Sequence, residues 1–343
     1  MNGHLKILFV SDTHLGFDYP FKPRVKRRRR GDDFFANYRR VLALAVEEQV
    51  DCLIHGGDIL YRSKIPAQLV NMAFEPLADV TKRGIPVFVV PGNHERSHIP
   101  FRLLAAQPGI HIFTKPRTFL LRKNEFTLAL SGFPYHRDNV RAQFPAIIEK
   151  TGYRDLPADA RLLCMHHCVE GSVVKSGNRE HVFKFASDVI RINDIPADFS
   201  AALSGHIHRF QVLTRDLSQQ LVATPVFYPG SIERTSFAEK DETKGFLMMR
   251  IATDGPDKGT IRRWRFHPLP ARPMREVVID GNGVSAGKLK AYLQYLFANL
   301  PADAVVKIRW RGDLVPEAQQ LLRTQFIRAL APATMNIELS PIR

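Results

Sequence analysis

Short apolar runs that stop abruptly at polar residues recur along this chain. KILFV runs into Ser11 and Asp12, CLIH into Gly56, Gly57 and Asp58, and PVFVV into Pro91, Gly92, Asn93 and His94. Apolar runs of this length bounded by Gly, Pro or polar clusters are strand signals. Between the first two lies FFANYRRVLALAVEEQV, apolar at 35, 38, 42, 45, 46 and 50, a helical stripe with Asp32 and Asp33 placed to cap it. A second helical segment near 67–82 is expected to bend or break at Pro76. The order β-α-β-α-β predicts an α/β sheet with helices on its faces.

The middle of the chain is richer in strands. FTLALSGF, RLLCMHH, AALSGHIH, LVATPVFY, GFLMMRI and IRRWRF predict a second sheet packed on the first. The composition breaks at HPLPARPMRE (267–276), dense in Pro and Arg. Beyond it REVVID, KLKAYLQYLFANL, AVVKIRW, EAQQLLRTQFIRAL and MNIELS alternate as β-α-β-α-β. The chain is therefore expected to divide into a domain over 1–267 and a smaller one over 268–343. The last helix, 317–330, carries an apolar stripe at 318, 321, 322, 326, 329 and 330 that the small sheet needs as cover.

Composition narrows the class. Of 343 residues, 45% are apolar and 24% charged, ordinary for a protein with a proper core. Lys and Arg number 49 against 34 Asp and Glu, a net charge of +15, which favours a polyanionic partner. The N-terminal apolar run is too short for a signal peptide, and no run approaches the ~18 apolar residues of a membrane span. Three cysteines make no disulfide framework, so the expectation is a reducing cytoplasm, with Cys52 and Cys164 buried.

The candidate chemistry sits where strand signals end. Four such ends carry Asp12-Thr-His14, Gly-Gly-Asp58, Gly-Asn93-His94-Glu95 and Gly-His206-Ile-His208. In an extended chain residues i and i+2 face the same way, so Asp12 with His14, and His206 with His208, are expected to present two ligands to one point. Active groups of α/β sheets gather at the carboxyl ends of strands. Each motif alone is weak, and their joint occurrence is what points to metal. RLLCMHHCVEG (161–171) adds two adjacent histidines, His166 and His167, between Cys164 and Cys168. Strand parity does not choose between the two, and the cysteines lack the second pair that a structural zinc site needs.

This ordered set resembles the calcineurin-like metallophosphoesterases. Within them VSDTHLG, LSGHIHRF and YPGSIERTSF (228–237) are most similar to the double-strand-break repair nucleases, the bacterial SbcD type and its archaeal and eukaryotic relatives. The resemblance runs over about residues 5–266, and the remainder is similar to that family's capping domain. It implies a two-sheet αββα sandwich with a small C-terminal α+β capping domain. It implies two divalent metal ions, manganese, with Asp12, His14 and His208 completing one site and Asn93, His166 and His206 the other. Asp58 is the expected bridge, because an anionic oxygen ligand bridges two cations well. His166, the first polar residue after its strand, is the ligand in the family's pattern, leaving His167 to pack. His94 is implied to assist the leaving group or stabilise the transition state.

The resemblance further implies a DNA nuclease in end processing and repair, 3′→5′ exonuclease on duplex and endonuclease on single strands. FKPRVKRRRR, including Arg27, Arg28, Arg29 and Arg30, follows the first metal motif and is expected to hold a phosphodiester backbone. A second basic stretch, RRWRFHPLPARPMR (262–275), interleaves Trp264 and Phe266. A homodimer through 99–109 and an SMC-like coiled-coil ATPase of the SbcC type are the implied partners. Because the chain stops at Arg343 directly after MNIELS, the usual coiled-coil docking segment is expected to be missing. Two rivals stand beside this reading. One is an esterase for small phosphodiesters or phosphomonoesters, although the chain has GDILYRS where a protein phosphatase has Gly-Asp-x-x-Asp-Arg-Gly. The other is a non-catalytic DNA-binding scaffold, against which the complete ligand set argues. The expected location is cytoplasmic, at the nucleoid.

Overall fold

The computed structural model describes residues 3–19, 28–64, 66–95, 107–176 and 179–342. Arg27 and most of the segment 99–109 lie outside the described residues. In chain order the first elements are β1 (His4–Val10), α1 (Arg30–Glu47), β2 (Cys52–His55), α2 (Ala67–Lys82), β3 (Val87–Val89) and β4 (Ile110–Ile112). There follow β5 (Arg117–Lys123), β6 (Phe126–Gly132), α3 (Val140–Glu149), β7 (Ala160–Met165), β8 (Cys168–Val169), β9 (Val173–Ser176), β10 (Arg179–Val182) and β11 (Val189–Ile190). Then come β12 (Ala201–Ser204), β13 (Gln211–Arg215), β14 (Leu221–Tyr228), β15 (Gly245–Ala252) and β16 (Ile261–Pro268). The last group is β17 (Met274–Asp280), α4 (Ala286–Ala298), β18 (Val305–Arg311), α5 (Pro316–Leu321), α6 (Thr324–Leu330) and β19 (Asn336–Pro341).

Two six-stranded sheets dominate, ordered β16-β15-β1-β2-β3-β4 and β13-β14-β12-β7-β6-β5. Alternate residues of both meet in one core, Leu5, Ile7, Phe9, Leu247, Met249 and Ile251 from the first sheet and Leu128, Leu130, Leu162, Cys164 and Leu203 from the second. On the far side of the second sheet, Phe144 and Ile147 of α3 pack with Leu163, Met165 and Val226. Sheet strands with buried residues on both faces read as continuous apolar runs, which is why the sequence shows runs rather than alternation.

Four expectations are corrected. GFLMMRI and IRRWRF form β15 and β16 of the first sheet, where β15 pairs antiparallel with β1 (Phe9 opposite Leu247), not strands of the second. Chain order does not name a strand's neighbour; the register that sends Leu247, Met249 and Ile251 into the core does. α2 runs unbroken through Pro76, because buried residues on both sides of it, Leu69, Ala73, Leu77 and Val80, hold the helix in place. α1 begins at Arg30, so neither aspartate is the N-cap residue itself; from the first turn Asp32 still caps the end by accepting from the Arg29 N–H at 3.1 Å, and both carboxylates favour the positive end of the helix. The final helix is two, α5 and α6, parted by an extended Arg323. Ala318, Leu322 and Ile327 are all buried, and the five-residue step from Leu322 to Ile327 is out of phase with a single helix.

The chain divides into two compact units, and their boundaries interleave. The first comprises Met1–Phe17, Phe34–Glu233 and Thr243–Leu269, and contains both large sheets. The second comprises Asp18–Asp33, Arg234–Glu242 and Pro270–Arg343. Its parallel sheet β17-β18-β19 packs Ile279, Val306 and Ile308 against Leu289, Leu293 and Ile327. Arg272 is the polar hub of this unit: it is 6% exposed, donates from Nε to Asp33 at 2.8 Å, and reaches Asn336 and the carbonyls of Asp303 and Thr334. No helix among the described residues is long and apolar enough to cross a membrane.

Candidate metal centre

Strand pairing carries the first motifs together. β1 and β2 are parallel neighbours, and their pairing continues past the strand ends: Asp12 N–H donates to the Gly57 carbonyl at 2.9 Å and His14 N–H to the Asp58 carbonyl at 3.0 Å. β2 lies beside β3, which leads into Asn93 and His94. In the second sheet β7 and β12 are parallel neighbours, delivering His166 beside His206 and His208. All four motifs and His166 lie in the first unit.

The side chains converge in overlapping groups whose ligand atoms lie within 4.8 Å of one another: Asp12, His14 and His208; His14, Asp58 and His94; Asp12, Asp58 and His166. His14 Nε2 is 2.9 Å from His208 Nε2, and both stand just under 4 Å from Asp12 Oδ1. His166 Nε2 lies 3.4 Å from Asp58 Oδ2 and 3.2 Å from Asn93 Oδ1. Asn93 Oδ1 also faces His206 Nδ1 at 3.0 Å. Asp58 is common to two groups, as is Asp12.

The convergence is not the strand parity that the spacing suggests. Asp12, His14, Asp58 and His206 all have positive φ, between 41° and 82°, in loops beyond the strand ends. Left-handed backbone at non-glycine residues costs of order 1–3 kcal/mol each and collects at functional sites. One consequence is that His206 and His208 part company: His206 turns to Asn93 and His208 to His14. Gly205 lets this loop approach, since a Cβ there would meet Ser11 Oγ, the Gly56 carbonyl and His166 Nδ1.

The donor set suits divalent cations. His166 donates from Nδ1 to the Gly56 carbonyl at 2.7 Å, which turns the Nε2 lone pair toward Asp58 and Asn93. Burial drives His14 well below its ordinary range and, with repulsion from His166, drives His206 down to about 3, so both are neutral ligands at pH 7. Burial pulls His166 the same way, but the Asp58 carboxylate outweighs it and pushes His166 up to about 9. The Asp58 carboxylate that favours positive charge at His166 would equally favour a divalent cation there, whose binding would displace any proton on the ring. His14 Nδ1 is a buried ring nitrogen with no partner among the described residues. Carboxylate, amide and imidazole ligands without thiolate match manganese, iron or zinc rather than calcium.

His94 is placed differently. Its Nδ1 faces the Tyr61 carbonyl at 2.5 Å, and its Nε2 is 3.8 Å from Asp58 Oδ2 on a side chain that is 32% exposed. His167 is buried on the opposite side, stacked on Tyr135 at a centroid distance of 4.8 Å, with Nε2 accepting from the His136 N–H at 3.0 Å. Cys164 and Cys168 are free and buried, and burial pushes the Cys168 thiol up to about 12, so neither offers a thiolate. Of the basic run, Arg28 is ion-paired to Asp33 at 2.7 Å, Arg29 is bonded to Asp18, and Arg30 donates to the Arg234 carbonyl.

Sequence reasoning missed several supports. Glu95 is 3% exposed and accepts from Leu60 N–H and Gly92 N–H at 3.1 and 2.9 Å, tying the loop of Asn93 to that of Asp58; burial, with Asp58, raises it to about 7. Buried Lys244 donates to the His208 carbonyl at 2.7 Å, and Tyr135 packs against the His166 and His206 rings. Glu95 was visible as the last letter of its motif. Nothing near Lys244 or Tyr135 in the sequence marks them.

A two-sheet sandwich of mixed strands, with carboxylate, amide and imidazole ligands at the ends of its parallel central strands, is the architecture of a metal-dependent phosphoesterase. The calcineurin-like phosphoesterase family model matches residues 5–210, more than half of the chain, and the chain belongs to that family. It is 24% identical, over 95% of its length and 75% of the relative's, to a DNA double-strand break repair protein Mre11 from Archaeoglobus fulgidus. It is 23% identical to a protein of the same name from Methanococcus maripaludis, covering 73% of this chain and 64% of that one. Among solved structures it is similar to a dimetal phosphatase from Danio rerio, at a TM-score of 0.44 and 11% identity over 73% of this chain and 93% of that one.

Proposed function

We propose that this protein is a DNA nuclease that hydrolyses phosphodiesters in the processing and repair of DNA ends. The observation that carries the reading is the joint one: a cluster of buried carboxylates and convergent imidazoles, in a chain similar over 95% of its length to a double-strand break repair protein. The charge of +15 suits a polyanionic substrate better than a small ester. Two divalent ions, manganese in this reading, supply Lewis-acid polarisation of the phosphoryl group and activate water. Asp12, His14 and His208 would hold one and Asn93, His166 and His206 the other, with Asp58 available to both.

The remaining work falls to residues of the chain. His94 has its ring oriented by the Tyr61 carbonyl, so Nε2 is the atom that carries a proton to the leaving oxygen. Glu95 keeps Asn93 and Asp58 in register through two backbone N–H groups. Arg28 and Arg29 are engaged by Asp33 and Asp18, so the run Arg27–Arg30 acts on DNA chiefly through its field. Exonuclease action in the 3′→5′ direction, endonuclease action on single strands, a homodimer and a coiled-coil ATPase partner belong to the same proposal, as does a capping role for residues 268–343. The test compares plasmid and oligonucleotide DNA with a chromogenic phosphodiester, with and without Mn²⁺. Manganese-dependent cleavage of DNA is expected; turnover of the small ester alone would move the assignment to a small-molecule phosphoesterase.

A further inference from the structure

β16 is the edge strand of the first sheet, and its sequence IRRWRF is left unexplained by the metal centre. Register places Lys6, Arg250 and Arg263 directly opposite one another across β1, β15 and β16. Like charges facing each other across a sheet are destabilising. Arg265 stands two residues along β16 on the same face, so Arg263 has Arg250 beside it across the ladder and Arg265 beside it along the strand. Arg250, Arg263 and Arg265 are exposed, and none is ion-paired with a carboxylate among the described residues. The acid on this face, Glu48, is taken by Lys6 at 3.0 Å, although its field also reaches Arg250 and His267. Trp264 points to the opposite face, is 41% exposed, and is propped by Phe210 and Phe227 at centroid distances of 5.9 and 5.8 Å.

We propose that the β15–β16 edge, with Arg250, Arg263, Arg265 and Trp264, is a docking track for one strand of nucleic acid. Alternate strand residues stand ~6.6 Å apart, on the order of the separation of successive phosphates along an extended strand. Only Arg263 and Arg265 have that spacing along β16, with Arg250 beside Arg263 across the ladder; so compact a set of cations at one sheet edge matches one backbone rather than the two of a duplex, and bases turned round the edge meet the indole ring, the arrangement of sequence-tolerant single-strand sites. A lipid surface fits less well, because among the described residues of the cationic face there is no large exposed apolar side chain to insert. The inference rests on the DNA-directed reading only for the identity of the polyanion.

The experiment measures anisotropy of a labelled oligothymidylate with the full chain in chelator, where cleavage is silent, across a salt series. For Arg250→Ser/Arg263→Ser/Arg265→Ser the slope of log affinity against log salt is expected to fall by about 2, at ~0.7 per lost contact on single strands. Trp264→Phe, which keeps an aromatic prop, is expected to weaken binding less than Trp264→Ala, for which the loss is roughly fivefold to a hundredfold. An unchanged slope in the triple variant overturns the proposal. So does a loss confined to duplex, or a loss of binding to phosphatidylserine vesicles that exceeds the loss on the oligonucleotide. Failure of the nuclease reading is read separately, as absence of Mn²⁺-dependent DNA cleavage by the unaltered protein while oligonucleotide binding persists.

Discussion

Adjacent histidines at 166 and 167 show how far one residue of register matters. His166 bonds the Gly56 carbonyl and turns Nε2 to Asp58 and Asn93, whereas His167 is sandwiched between Tyr135 and Phe133 and accepts from His136. His166→Ala is expected to lose bound metal; His167→Ala should keep it and lose stability instead, since a buried, stacked ring is removed. Metal analysis of the two purified variants decides, and loss of metal in the second alone would reverse the assignment. His94→Ala is expected to retain metal and lose about 10²–10⁴-fold in kcat, the range for a general acid; a variant with undiminished turnover would remove His94 from the chemistry. Gly92 is sensitive too, because a Cβ there would collide with the Asp58 side chain and backbone. Gly92→Ala should weaken metal binding at least tenfold in a titration read by calorimetry, and unaltered affinity would show that the loop yields freely.

At the scale of elements, the two sheets are held by residues that serve the core and the site at once. Leu203 of β12 is fully buried between the sheets two residues before Gly205. Leu203→Ala is expected to cost about 2–5 kcal/mol in chemical denaturation, the usual range for emptying a packed core position. A loss under ~1 kcal/mol would mean that the sheets close over the gap. β14 contributes more quietly: Tyr228, fully buried, donates to the His167 carbonyl at 2.9 Å and so ties the β7 loop to the second sheet. The YPGSIERTSF segment thus has a structural task at its first residue.

For the whole molecule, the strongest lever is the metal. Cations that bind only the folded chain stabilise it by about 2.7 kcal/mol at a hundredfold excess over Kd. Removing metal with chelator is therefore expected to lower Tm by several degrees, restored by Mn²⁺ and not by Na⁺ at equal ionic strength. Identical melting curves with and without Mn²⁺ would contradict a metal centre at this site. The second unit has a different weak point. Arg272→Ala would leave the buried Asp33 with only the more exposed Arg28 as its partner, at a cost below the ~3–5 kcal/mol of a fully orphaned buried charge. Lys at the same position should recover little of it, because one ammonium does not reproduce the fork that reaches Asp33, Asn336 and two carbonyls. Full rescue by Lys in thermal denaturation would show that charge alone suffices.

The sequence by itself determined the family, through four polar motifs in fixed order after apolar runs, and with it the two-sheet fold. Those features are local: a strand's apolar run, a glycine turn and a ligand side chain are written in consecutive residues. It also named the residue types of the centre, because a donor set is a matter of chemistry rather than of position. Tertiary structure decided the rest. It set β15 and β16 on the first sheet, since strand neighbours follow from which faces can be buried together, not from chain order. It brought Asp12 to His14 through left-handed loops where parity alone predicted an extended strand, and it sent His206 and His208 to different partners. It engaged Arg28 and Arg29 with Asp33 and Asp18 and left Arg250, Arg263 and Arg265 exposed without an ion-paired carboxylate among the described residues. An arginine is the same letter in either place, and only the fold determines which carboxylates come within reach of it.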